Sequence, residues 1–312
     1  MSALTYATAQ ILRVLPRARI GRALGRLADH EWSPALGRAV VGLYSRVYDV
    51  RLDECAEGGG WGSFDAFFTR RLRDGARDVD ADPRAVLSPA DGRVEAIGPI
   101  DGRGTFVVKG RPYTVAELVG DAQEALRFAG GAGCVVYLSP RDYHRVHAPV
   151  GGTIARIRSM SGDYFPVNAI GFRHVPNLLV RNRRVAIEID ADRGLGRVTV
   201  IMVVAMIVGR ITTMGVDARD VPVGDHVFDP PLRVARGDEL GAFHLGSTAV
   251  VLVERGEAVR WVTGEGPVRY GQALLRWLGA QENGVAPSRP GAARGSPLGA
   301  SFLGGREPGA GG

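Results

Sequence analysis

The sequence predicts an α+β fold: a β-rich core of mainly antiparallel strands, with helices on its N-terminal side. Three observations carry this. From about residue 85, short β-branched runs alternate with glycine turns, as in GRVEAIGPI, TFVVKG, GCVVYLS, GTIARIRSM, RVAIEID and AVVLVE. Before residue 80 the apolar residues fall at helical spacing instead. No strand alternates regularly with a long helix and no internal repeat appears, which argues against a doubly wound parallel sheet. The division is residues 1–80 as an N-terminal helical region, 81–282 as the β-rich core, and 283–312 as a Gly/Pro/Ala-rich tail.

Residues 3–29 read as helical and basic. Ile11, Leu12, Leu15, Ile20, Leu24 and Leu27 are apolar, Arg13, Arg17, Arg19, Arg22 and Arg26 intervene, and Pro16 kinks the run. Such a stretch either lies in a lipid interface or packs on the domain. Ser33 and Pro34 form a helix start, with Leu36, Val40, Leu43, Tyr44 and Val47 following at helical spacing. After the Gly58–Gly60 loop, Ser63 caps a short helix whose Phe64, Phe67, Phe68 and Leu72 read as core.

Within the β-rich region, Thr114 and Glu117 form a capping box ahead of a single helix, LVGDAQEALRFA. The longest apolar run, VTVIMVVAMIVG from Val198 to Gly209, is far shorter than the roughly 20 residues of a spanning helix. It is rich in Val and Ile, and reads as a buried strand. The tail has few large apolar groups and is expected to be disordered.

The chain of 312 residues carries a formal charge of +6, almost all of it arginine, since Lys109 is the only lysine. That balance fits an anionic partner: a membrane surface, nucleic acid or a phosphorylated substrate. Composition bias accounts for it equally well, because Arg, Ala and Gly run high together. Cys55 and Cys134 make neither a disulfide framework nor a zinc site, which fits a reducing interior. No charged segment followed by an apolar one marks a secretory signal.

Three places could carry chemistry. Asp91 sits in SPADGRV, an Asp-Gly turn before a strand. His144 and His147 share the polar turn YLSPRDYHRVHAPVGG, two of only six histidines. Ser247 follows Gly246 in HLGST, directly before AVVLVE. An Asp, a His and a Ser can assemble a relay in any chain order, the His activating a weakly nucleophilic Ser and the Asp orienting the His. A Gly-x-Ser-x-Gly hydrolase is disfavoured, because here the strand follows the serine. His144-x-x-His147 alone is a poor metal signature, so no metal is expected.

The runs FFTRRLRDGARDVD, SPADG, YLSPRDYHRVHAP, SGDYFPVN, VPNLLVRN and LGST occur in the order seen in phosphatidylserine decarboxylase. Over roughly residues 35–255 the chain resembles the membrane-associated proenzyme form of that family. The resemblance implies a chain that cuts itself between Gly246 and Ser247, giving a β chain of residues 1–246 and an α chain of 247–312. Ser247 would become a covalent pyruvoyl group. Asp91, His147 and Ser247 would form the self-processing relay, with Asp91 holding the imidazole tautomer. The pyruvoyl carbonyl would form a Schiff base with phosphatidylserine and act as the electron sink for its decarboxylation to phosphatidylethanolamine. His144 is similar to the family histidine of that step, and is the candidate proton donor. Tyr143, Phe165 and Asn168 lie in matching motifs and could shape the head-group pocket, although Phe165 reads equally as core.

The lysine count bears on the cofactor: a pyridoxal phosphate enzyme needs an active-site lysine, and only Lys109 is available, so no PLP is expected. The resemblance also implies a peripheral location on the cytoplasmic side of the cell membrane, an anionic lipid surface as partner, a homodimer, and no nucleic acid. The chain departs from the family at Asn182-Arg183-Arg184-Val185, where an acidic residue commonly follows the Asn, and at His244, which reads as structural. The competing readings are a serine hydrolase using Asp91, His147 and Ser247 without self-cleavage, and a non-catalytic β-rich module with the histidines as metal ligands.

Overall fold

The computed structural model describes residues 23, 25–56, 58–205, 210–244 and 246–279. Of the expected helix over 3–29, Ala23 and residues 25–29 are helical; the rest, like the tail 283–312, lies outside the described residues. After these helical residues, α1 (Pro34–Tyr48) and α2 (Phe64–Phe68) precede the sheets. The strands are β1 (Ala85–Leu87), β2 (Gly92–Pro99), β3 (Thr105–Val108), β4 (Arg111–Thr114), β5 (Ala132–Leu138), β6 (Arg145–His147), β7 (Gly152–Met160), β8 (Arg184–Ala191) and β9 (Gly196–Val204). They continue as β10 (Arg210–Thr213), β11 (Gly224–His226), β12 (Leu232–Val234), β13 (Glu239–His244), β14 (Ser247–Val253), β15 (Val259–Trp261), β16 (Gly266–Val268) and β17 (Ala273–Trp277).

A large sheet runs in the order β11-β7-β8-β9-β14-β5-β2-β16, with β12 also on β7. Smaller sheets are β10-β13-β6, β1-β17-β15 and the β3-β4 hairpin. All of these pairings are antiparallel, as expected from the sequence.

The middle of the large sheet is buried on both faces, which is why β9 and β14 read as near-continuous apolar runs. Strand alternation still sorts their side chains. Val200, Met202, Val204, Ala249 and Val251 enter one apolar cluster; Ile201, Val203, Val250 and Leu252 enter the other. The β10-β13-β6 sheet packs over the first cluster through Ile211, Leu240, Phe243 and Val146.

Three local expectations change. The expected helix after Thr114 is two short ones, Val115–Val119 and Ala122–Ala125, because Gly120 turns left-handed (φ 70°) and Asp121 caps a fresh start. In α1, Ser33 caps as expected, but the buried face is Gly37, Val41 and Ser45. A Cβ on Gly37 would lie 3.2 Å from the Trp61 carbonyl, so the helix approaches the domain along its small residues. Leu36, Leu43 and Val47 are left 49%, 63% and 65% exposed. The run from Val198 forms β9 only to Val204, and residues 206–209 lie outside the described residues.

Candidate active site

Ser247 opens β14 in the middle of the large sheet, opposite Leu138 on one side and Val204 on the other. Alternation gives it the face of Leu138, Val204 and Ala249, beneath the β10-β13-β6 sheet. The residue before it, Gly246, is left-handed (φ 63°), a conformation glycine adopts without strain. The Gly246 carbonyl accepts a hydrogen bond from the Ala205 N–H at 3.0 Å. The Ser247 hydroxyl is fully buried and has no hydrogen-bond partner among the described residues. Leaving such a group unpaired costs about 1–3 kcal/mol, so the position calls for a reason.

His144 leads into β6, and its carbonyl accepts from the Phe243 N–H at 2.9 Å. In that register its side chain shares the side of Val146 and Phe243, toward the layer that holds Ser247. It is fully buried, with its ring 4.1 Å from that of Phe68. Nδ1–H donates to the Asp142 carbonyl at 2.8 Å, so Nε2 carries the lone pair, and Nε2 has no partner among the described residues. Burial pushes its pKa down to about 3 against the pull of the Asp142 bond, and the nearby Arg70 charge lowers it further. His144 is therefore a neutral, bare base.

His147, three residues on, faces the other way. Its Nδ1–H donates to the Gly237 carbonyl at 2.8 Å, and its Nε2 accepts from the Tyr143 hydroxyl at 3.2 Å. Its ring stacks on Tyr270 at 3.9 Å. Burial lowers its pKa, against the pull of the Gly237 carbonyl, Glu239 and Asp91. Asp91 does not orient this imidazole. Arg77 grips its carboxylate with Nε at 3.0 and 3.1 Å, and the Tyr270 N–H donates to it at 2.9 Å. Arg77 also bonds Glu54 at 2.7 Å. Asp91 and His147 are thus linked through Tyr270, its backbone to one and its ring to the other. The turn itself requires Gly92 (φ 155°), where a Cβ would lie 2.2 Å from the Tyr137 carbonyl.

The loop from Pro140 to Tyr143 borders two cavities. An apolar one of about 360 Å³ reaches Ser247 and Gly246 between Phe64, Phe68, Tyr137, Val167 and Asn168. A polar one of about 390 Å³ holds Asp91, Tyr143, Glu54 and several arginines. Of the expected pocket residues, Asn168 lines the first cavity and Tyr143 the second. Phe165 lines neither and is buried in the second apolar cluster. His244 is held by Asp65 at 2.8 Å, beside Arg210, and acts as a structural link to α2, as its position suggested. Among the described residues no group of His, Cys, Asp or Glu is placed to hold a metal ion.

The sequence that builds this arrangement is matched in known proteins. The profile of the family described as phosphatidylserine decarboxylase matches residues 64–276. The chain belongs to that family. The phosphatidylserine decarboxylase proenzyme of Acinetobacter baumannii is 38% identical over 250 residues, covering 80% of this chain and 87% of the relative. The proenzymes of Marinobacter nauticus and Azotobacter vinelandii are each 38% identical as well, over 272 and 274 residues, covering 84% of this chain and 94% of theirs.

Several residues around this candidate site escaped residue-level reading. Arg77 lies inside the first family run, and Asn182 inside VPNLLVRN, but neither residue type announces a role. Tyr270, Gly237 and Ala205 contribute backbone groups or a ring face, for which a single sequence carries no signal.

The depressed His144 pKa has a consequence for stability. Unfolded, the imidazole titrates near 6.5; folded, it resists protonation down to about 3. Between these values the unfolded chain binds the extra proton, so stability is lost as the pH falls through that window. We expect denaturant melts from neutral pH down to about pH 4 to show this loss, and His144→Asn to flatten it. Identical slopes in the two proteins would rule the assignment out.

Proposed function

We propose that this chain is a proenzyme that cuts itself between Gly246 and Ser247 and then decarboxylates phosphatidylserine to phosphatidylethanolamine. The observation that carries this reading is the Ser247 hydroxyl, buried without a partner beside a glycine carbonyl already held by a donor. The Ser247 Oγ attacks the Gly246 carbonyl carbon and gives up its proton to a base. The C–N bond breaks, leaving an ester and a free Ser247 amine. Loss of the Ser247 Cα proton expels the Gly246 carboxylate and leaves a dehydroalanine, which water converts to a pyruvoyl end and ammonia.

The resulting pyruvoyl group supplies a carbonyl that takes up the substrate amine and draws electrons from the bond to the departing carboxylate. The rest of the work falls to the chain. His144, whose side chain lies on the side of the Ser247 layer with Nε2 unpartnered among the described residues, accepts a proton from the substrate ammonium and returns it to carbon after carbon dioxide leaves. Asp91 and His147 serve the self-cleavage, for which His147 must leave the Gly237 carbonyl and the Tyr143 hydroxyl. The apolar cavity beside Ser247 receives the lipid. The exposed Leu36, Leu43 and Val47 of α1, with the basic N-terminal stretch, bring that cavity to an anionic membrane surface. No described helix is long and apolar enough to cross a membrane, so α1 would lie on it. A serine hydrolase without self-cleavage is not favoured, because the matching family and the relatives are described as decarboxylases and decarboxylase proenzymes.

Intact-mass measurement of the purified protein should find two chains split before residue 247, the smaller with a pyruvoyl end, and Ser247→Ala should give one uncut, inactive chain. An active single chain would sink the proposal. The two histidines should separate: His144→Ala still cleaves but decarboxylates at least tenfold more slowly, whereas His147→Ala stays uncut. An uncut His144→Ala chain would make His144 the base for Ser247 instead. For the membrane surface, Leu43→Ser with Val47→Ser should bind anionic phospholipid vesicles roughly tenfold more weakly; equal binding would refute a role for α1.

A further inference from the structure

Asn182 is fully buried just after the short helix Leu178–Arg181, and the function described so far does not use it. Every hydrogen-bonding position of its amide but one oxygen lone pair is taken. Oδ1 accepts from the Phe165 N–H at 2.9 Å, and Nδ2 donates to the Phe165 and Val204 carbonyls, both at 2.8 Å. These partners fix which end of the amide is which, since a flip would aim Nδ2 at an N–H.

The Val204 carbonyl belongs to the same peptide unit as the Ala205 N–H. That unit is planar, with its two polar groups pointing in opposite directions. Asn182 therefore grips one side of the plane while the other donates to the Gly246 carbonyl at 3.0 Å. A hydrogen bond accepted at the carbonyl also polarises the peptide and strengthens its N–H as a donor. The Gly246 oxygen is the atom on which negative charge develops when the Ser247 Oγ attacks.

We propose that the Ala205 N–H is the oxyanion donor for self-cleavage and that Asn182 is the positioning residue that aims it. The inference rests on the reading of Gly246–Ser247 as the bond that is cut. The donor sits in place before the reaction, so no reorganisation is needed as the charge appears. The same amide pins Phe165, which precedes the cavity-lining Pro166, Val167 and Asn168. One side chain thereby sets the lip of the cavity relative to the scissile carbonyl.

The test follows chain breakage on denaturing gels in three full-length proteins: the unaltered chain, Asn182→Ala, and a chain in which the Ala205 amide nitrogen is replaced by oxygen through its α-hydroxy acid analogue. The last removes the donor, weakens the Val204 carbonyl as an acceptor and keeps every side chain, so it tests the donor even if Asn182→Ala fails to fold. We expect breakage to slow roughly a hundredfold in the ester protein and in a folded Asn182→Ala. Hydroxylamine, which cuts an accumulated ester, should not rescue either, because the stall precedes the acyl shift. Breakage within threefold of the unaltered rate in the ester protein, or rescue by hydroxylamine, would overturn the inference while leaving self-cleavage intact. An unaltered chain that never splits would overturn self-cleavage, and this inference with it.

Discussion

The register of β14 between β5 and β9 is the constraint on which the site depends. It sets Ser247 against Leu138 and Val204. It thereby puts the Ser247 side chain in the layer shared with His144 and the Gly246 carbonyl on the Ala205 N–H. A slip of one residue would send Ser247 to the opposite face and bring Thr248 in its place. The aliphatic run after Ser247 guards against that slip. Val250 and Leu252 fill one apolar cluster, Val251 and Val253 the other. Each such side chain contributes about 1.5–3 kcal/mol when buried. Alternate pairings lose on both faces at once.

That security explains how the fold tolerates unpaired polar groups at its centre. The Ser247 and Thr248 hydroxyls and His144 Nε2 are all buried without partners among the described residues. A surface loop would relax and hydrate them. A strand start locked between two neighbours cannot. The low His144 pKa comes from the same source, since burial is its largest cause. Asp91 shows the reverse case. Its carboxylate is also buried, but Arg77 and the Tyr270 N–H satisfy it, so it is held firmly.

The fold was legible because its signals are local. Glycine turns between β-branched runs gave the antiparallel core, and Ser33, Ser63 and Thr114 marked helix starts that the structure confirms. The break at Gly120 was missed because a glycine inside a helical pattern only lowers its odds. Asp91, His144, His147 and Ser247 could be picked out by residue type and motif. Their connections could not. The partner of His147 is a carbonyl ninety residues away in sequence, at Gly237. Asp91 takes its backbone donor from Tyr270, 179 residues on. Backbone donors exist at almost every position, so no pattern of residue types singles one out. The exposed face of α1 was hidden for a related reason: the helix period was plain, but only the close approach at Gly37 decided which side packs.

The same register decides what a break at Gly246–Ser247 would do to the molecule. On the C-terminal side of that bond, β14 pairs with β5 and β9, β16 with β2, and β17 with β1. Each of these partners lies on the N-terminal side. Only the β15-β17 pairing is internal to the C-terminal piece. A central strand buried on both faces cannot leave without opening both apolar clusters, so the two pieces would remain one folded body. The new chain end at residue 247 would stay in the sheet, under His144 and beside the apolar cavity. A cut at an exposed turn would free its ends to fray. On the proposed reading, the strand pairing that sets Ser247 beside the Gly246 carbonyl would also keep the product where a substrate can meet it.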